Sequence, residues 1–195
     1  MTLPALILAS SSRFRQMQLQ QLNLPFTACS PNTDETPLVG ESAAATALRL
    51  ATKKAQAVAE NHPQHLIIGS DQVAFCQQTQ LGKPMSVAKA HDILRFTSGQ
   101  HLDFYTAVVL LNTLTGRMQS HVDHTQVQMR ELSDASIARY LEREPDAIYC
   151  AGGAKSEGLG QTLIASITST DPNALIGLPM LSLIGFLINE GHTLP

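Results

Sequence analysis

The chain has 195 residues, 44% of them hydrophobic and 15% charged, with a formal net charge of −3. That length and balance suit a folded domain with its own core and exclude a disordered chain. The slight acidity excludes non-specific binding along nucleic acid, which needs a basic face, but leaves room for one small basic pocket. The three cysteines, Cys29, Cys76 and Cys150, are scattered and form no Cys-x-x-Cys pair. Neither a disulfide framework nor a zinc knuckle is indicated, and a reducing cytoplasm is the expected compartment.

In chain order, the apolar start MTLPALILAS lacks a basic leader and reads as a buried first strand over Ala5–Ala9. Ser10-Ser11-Ser12 follows, able to cap a helix over Phe14–Leu24 whose apolar residues recur among glutamines. Phe26–Ser30 predicts a short strand, and Pro31–Gly40 a turn-rich acidic loop. Glu41–Glu60, rich in Ala, Leu and Lys, predicts a helix stopped at Asn61-His62-Pro63. Leu66–Phe75 is an apolar strand interrupted by a polar tetrad. A loop at Leu81–Pro84 then leads to a helix over Ser86–Phe96.

Leu102–Thr113 and Met118–Met129 are β-rich and joined through Gly116, the spacing of a hairpin. Ser133 opens a helix to Glu144, with Asp134 favourable in its first turn. A glycine-rich loop over Gly152–Gly160 leads to a strand over Leu163–Ile167 and a last buried helix within the apolar run Ala174–Ile188. That run contains Pro179 and is shorter than the roughly 18–20 apolar residues of a membrane span. Helices alternate with strands at both ends around a β-rich middle, which predicts an α/β fold with a mixed sheet. No repeat or linker divides it, so one domain over 1–195 is expected.

Two glycine-rich patterns miss their motifs. Before Lys155-Ser156, Tyr149 and Ala154 stand where a phosphate-binding loop needs glycine, and Gly158-x-Gly160 lacks a third glycine. His121-x-x-His124 falls on a predicted strand, where side chains three apart face opposite ways, so a zinc pair is not expected there. Four other segments carry chemistry. LILASSSRFRQ runs a strand into hydroxyls and two arginines at a helix start, an anion site or simply a cap. Thr33–Pro37 places two carboxylates in a loop, and Lys155–Gly158 is a polar glycine loop. Gly69-Ser70-Asp71-Gln72 sets an acid between LIIG and VAF, which is hard to explain as surface.

In order and spacing these segments, with RLATKKA, GKP and the run from CAGGAKSEGLG to DPNALIGLP, resemble the Maf family across nearly the whole chain. SDQV with KSEG resembles the branch acting on 7-methyl-GTP. The resemblance implies a fold related to the inosine-triphosphate pyrophosphatases, a divalent cation (Mg2+ or Mn2+), and hydrolysis of a nucleoside triphosphate to monophosphate and pyrophosphate. It implies Asp71 as proton acceptor and metal ligand, Glu35 as the DETP acid on the metal or water, and Ser12, Arg15, Lys54 and Lys83 around the phosphates.

Without the resemblance, Lys54 would be expected as a solvated helix-surface lysine. For the base, the resemblance implies Phe14, Gln72 and Glu157 as specificity residues. An aromatic face suits the cationic 7-methylguanine ring, and a carboxylate suits the donors of guanine's pairing edge. Phe14 stands where the branch carries a larger aromatic, and Arg13 where the family carries proline. Two alternatives stay open: a dTTP/UTP enzyme on this scaffold, disfavoured by Phe14 and Glu157, and a nucleotide-binding regulator of cell division with little turnover. No membrane or nucleic-acid partner is expected, and a homodimer is left open.

Overall fold

The computed structural model describes residues 3–194, so Met1 and Thr2 of the apolar start, and Pro195, lie outside the described residues. In chain order the elements are β1 (Ala5–Ala9), α1 (Arg13–Gln20), β2 (Phe26–Ala28), α2 (Ala43–Ala59), β3 (His65–Cys76) and β4 (Thr79–Leu81). Then come α3 (Val87–Thr97), β5 (His101–Asn112), β6 (Met118–Met129), α4 (Asp134–Arg143), β7 (Ile164–Thr168) and α5 (Met180–Asn189).

The described strands form one seven-stranded sheet in the order β2-β1-β3-β5-β6-β7, with β4 on β3. β1 runs parallel to both β2 and β3, whereas β4 and β7 pair antiparallel to β3 and β6. The mixed α/β sheet expected from the alternation of elements is therefore present. The chain forms two compact units: Met1–Gln72 with Thr106–Asp123 and Asp171–Pro195, and Val73–Tyr105 with His124–Thr170.

In the first unit, strand alternation sorts β3 into two faces. Leu66 and Ile68 join Leu8, Leu19, Leu183 and Leu187 in a core sealed from water. On the other face Gly69 meets α2, where a Cβ would collide with the Ala51 carbonyl and approach Ala55. Ala47, Ala51 and Ala55, one helical turn apart, are all fully buried. Small residues on both sides let the helix backbone come close to the strand, and this brings the next inward positions, Asp71 and Lys54, together.

In the second unit β4 folds back on the end of β3, pairing Ala74 with Leu81. Leu94, Leu102, Met129 and Ile137 are buried there. Gly152 and Gly153 have φ of 74° and 75°, a left-handed turn that side chains disfavour, so the loop resembling a phosphate cradle is a tight glycine turn. Tyr140 closes it, donating to Gly153 O at 3.2 Å and accepting from Lys155 N at 2.9 Å.

Three expectations shift in detail. Helix α1 stops at Gln20 instead of Leu24, because the chain turns through Asn23 at φ 52°. The last helix begins at Met180, because Gly177 at φ 133° and Pro179 interrupt the apolar run after a single 3-10 turn at Ala174–Ile176. Strand β4 was not expected, being three residues of TQL with little pattern. No described helix is long and apolar enough to cross a membrane.

Candidate functional site

The end of β3 in the first unit carries the densest chemistry. Asp71 is 6% exposed and its Oδ1 accepts from Lys54 Nζ at 2.6 Å. The same ammonium reaches Glu35 Oε1 at 2.8 Å, so one buried cation joins two carboxylates. Lys54 is thus corrected from the solvated lysine that helix composition alone predicts: it is buried, because small residues let α2 sit tight on β3. Burial pushes the Asp71 carboxyl above its ordinary value, while Lys54 and Arg15 pull it back. Its second oxygen takes no hydrogen bond among the described residues.

Glu35 is held differently. Its side chain is 58% exposed, on a loop without regular structure. Asp34 builds a local turn by accepting from Thr36 N and Oγ1 at 2.9 and 2.6 Å. Arg49 straps the loop to α2: it donates to Thr36 O at 3.2 Å and, in a forked pair, to Glu41 at 2.8 and 2.7 Å. That strap was missed in the sequence, where Glu41 and Arg49 stand eight positions apart with nothing to mark them as partners.

Ser12 is the N-cap of α1, its Oγ accepting from Arg15 N at 3.4 Å. Arg15, the third residue of that helix, donates from Nε to Gly177 O at 2.8 Å. Burial lowers its pKa, and the nearby charges of Asp71 and Glu35 raise it. Phe14 is half-buried, with the Arg13 guanidinium 4.9 Å over its ring. Gln72 faces away from Asp71, as its neighbour in a strand must. Its Nε2 donates to Thr106 Oγ1, Ala174 O and Leu175 O, each at 3.0 Å. Asp171, also missed, is buried and holds the start of α5 through Leu181 N at 2.7 Å.

Lys83 and Glu157 belong to the second unit. Lys83 is exposed and makes no ion pair among the described residues. Glu157 is exposed, and among the described residues its carboxylate takes a hydrogen bond only from Ser156 Oγ, at 3.5 Å. Lys155 is committed to Glu144 at 2.9 Å. His124 pairs with Asp103 at 2.7 Å and stacks on Tyr105. Burial raises the Cys150 thiol to about 12, which keeps it protonated near neutral pH.

Residues 5–190 match the family described as Maf-like protein. A relative from Neisseria meningitidis serogroup A, named 7-methyl-GTP pyrophosphatase, is 58% identical over 95% of each chain. Relatives of the same name from Chromobacterium violaceum and Thiobacillus denitrificans are 52% and 48% identical. They cover 95% and 97% of this chain, and 96% and 94% of their own.

Proposed function

From a chain that belongs to the Maf family, we propose a nucleoside triphosphate pyrophosphatase that hydrolyses 7-methyl-GTP to 7-methyl-GMP and pyrophosphate. The observation that carries this reading is the buried Asp71–Lys54 pair with Glu35 on the same ammonium. Relatives named for this activity, over nearly their whole length, supply the substrate. The family match runs through both units, which supports reading the chain as one family domain.

In this reading, water attacks the α-phosphorus as Asp71 takes its proton, and the bond to the bridging oxygen breaks to release pyrophosphate. A carboxyl raised by burial is a stronger base than an ordinary one. Its oxygen without a hydrogen bond is the one free to receive a proton. Lys54 holds Asp71 and adds positive charge beside the phosphates. Arg15 has its Nε fixed and, among the described residues, no hydrogen bond on its outer nitrogens, an arrangement suited to anionic oxygens. The Ser12 hydroxyl is assigned to the same oxygens, and Lys83, in the second unit, keeps the phosphate role that the family resemblance implies.

The donor set fits a divalent cation. Magnesium takes one or two carboxylates and completes its shell with phosphate oxygens and water, and Asp71 and Glu35 are two hard oxygen donors converging on one ammonium. These two would hold the metal. Once bound, it would supply charge neutralisation on the phosphates. The cytoplasm remains the expected compartment.

For the base, Phe14 offers a ring and Glu157 an uncommitted acceptor. Stacking a cationic ring on an aromatic contributes about 1–2 kcal/mol. Gln72 is retained as a specificity residue through its Oε1, which takes no hydrogen bond among the described residues, its nitrogen being spent on Thr106 and the 174–175 carbonyls.

The test is product analysis. Purified protein with magnesium or manganese is expected to convert 7-methyl-GTP to the monophosphate and pyrophosphate, and to lose activity in excess chelator. Orthophosphate with the diphosphate, or full activity in chelator, would contradict the reading.

A further inference from the structure

We propose that Ser70 is a positioning residue that aims Arg15 through a shared acceptor, the carbonyl of Gly177. This rests on reading Arg15 as a phosphate ligand. Gly177 O accepts from Arg15 Nε at 2.8 Å and from Ser70 Oγ at 2.9 Å. Ser70 is fully buried, one position before the proposed base and on the opposite face of β3. Among the described residues its hydroxyl has no other bond that would explain a polar group in this core position.

The segment carrying the carbonyl is itself fastened along its length. Gln18 Nε2 donates to Asn173 O at 2.8 Å, Thr106 Oγ1 and Gln72 Nε2 donate to Ala174 O at 3.0 Å, and Gln72 also reaches Leu175 O. Donors from β3, β5 and α1 thus fix consecutive carbonyls of a stretch with only one turn of its own. Gly177 has φ 133°, in the region that favours glycine, and a Cβ there would stand 3.4 Å from Arg15 Nε.

The consequence falls on Arg15. An arginine side chain is long and rotamer-rich, and a guanidinium that must meet a phosphate benefits from being held beforehand. With Nε on a fixed carbonyl, the plane of the fork is set. Neither outer nitrogen makes a hydrogen bond among the described residues, so both remain for anionic oxygens. Ser70 stiffens the carbonyl from its other side.

The experiment is a double-mutant cycle on the affinity for inorganic pyrophosphate with magnesium, measured by calorimetry, with thermal unfolding recorded for each variant. Arg15→Ala is expected to weaken binding about 10–30-fold, the scale of lost charge-assisted bonds. Ser70→Ala should weaken it about three- to fivefold, and the double variant should be no weaker than Arg15→Ala alone. Gly177→Ala is a second probe with the same expectation: a loss in the native background and none beside Arg15→Ala. If either probe fails to fold, the other decides.

Equal losses in both backgrounds, or native affinity in the probe variants, would overturn the proposal while leaving Arg15 as a phosphate ligand. Native affinity in Arg15→Ala is a different result. It would remove the phosphate reading of Arg15 and the proposal with it.

Discussion

Each unit contains a lysine set between two acids. In the first, Lys54 contacts Asp71 at 2.6 Å and Glu35 at 2.8 Å; in the second, Lys155 contacts Glu144 at 2.9 Å and Asp146 at 3.6 Å. The contrast lies in what each carboxylate has left over. Glu144 uses both oxygens, one on Lys155 and one accepting from Leu159 N at 3.2 Å, and so ties the end of α4 to the 155–159 loop. Asp71 uses one oxygen, lies in a strand interior and is raised by burial. A carboxylate with all its acceptors engaged is fastening structure, whereas a buried one with an oxygen left open is available for proton transfer.

The largest expected effect breaks this symmetry. Lys54→Met strands a buried acid and removes the positive charge proposed beside the phosphates, so turnover on 7-methyl-GTP should fall about a hundredfold or more. Lys155→Met should cost less than about fivefold in turnover, its loss appearing in the thermal midpoint of unfolding. Parallel losses in kcat would mean that the two lysines are not different in kind.

A smaller effect concerns the part of the second unit that is not fastened. Glu157→Gln replaces an acceptor oxygen with a donor, and about a tenfold loss in kcat/KM on 7-methyl-GTP, exceeding that on UTP, is expected. Phe14→Ala should narrow the preference for 7-methyl-GTP over GTP, since stacking on a charged ring is lost. Rates with all three triphosphates check both variants, and uniform losses would remove these residues from base reading.

The strand segment was legible in the sequence because LIIGSDQVAF puts an acid where strand patterning demands an apolar residue. Two other features were not. Lys54 reads as surface from its helix. Its burial depends on Gly69 and the alanines of α2 meeting across the fold, a tertiary fact no local window contains. Gln72 and Ser70 sit beside Asp71 in sequence but on the other face, and their partners lie more than a hundred residues away at 174–177. The hydroxyl cluster at Ser10–Ser12 was legible as a helix cap, the role Ser12 takes at the start of α1.

The smallest effect tests the strap on the Glu35 loop. Hydrogen bonding from Arg49 holds the Glu41 carboxyl down at about 2, against an ordinary 4.5. A depressed carboxyl stabilises the folded chain above its unfolded pKa and loses that contribution as pH falls through its folded one. The stability difference between the native chain and Glu41→Gln should therefore be constant above about pH 5 and shrink between about 4.5 and 2. Denaturant midpoints at several pH values would show it, and a difference that grows on acidification would contradict the strap.

Proton acceptance by Asp71, as proposed, is tested by pyrophosphate release from 7-methyl-GTP by Asp71→Asn beside the native chain at equal nucleotide saturation. Asparagine keeps the shape and a hydrogen-bonding oxygen for Lys54 but cannot take a proton near neutral pH. A fall in kcat of about a hundredfold or more is expected, with nucleotide affinity kept within a few-fold. A variant turning over at near-native rate would contradict it.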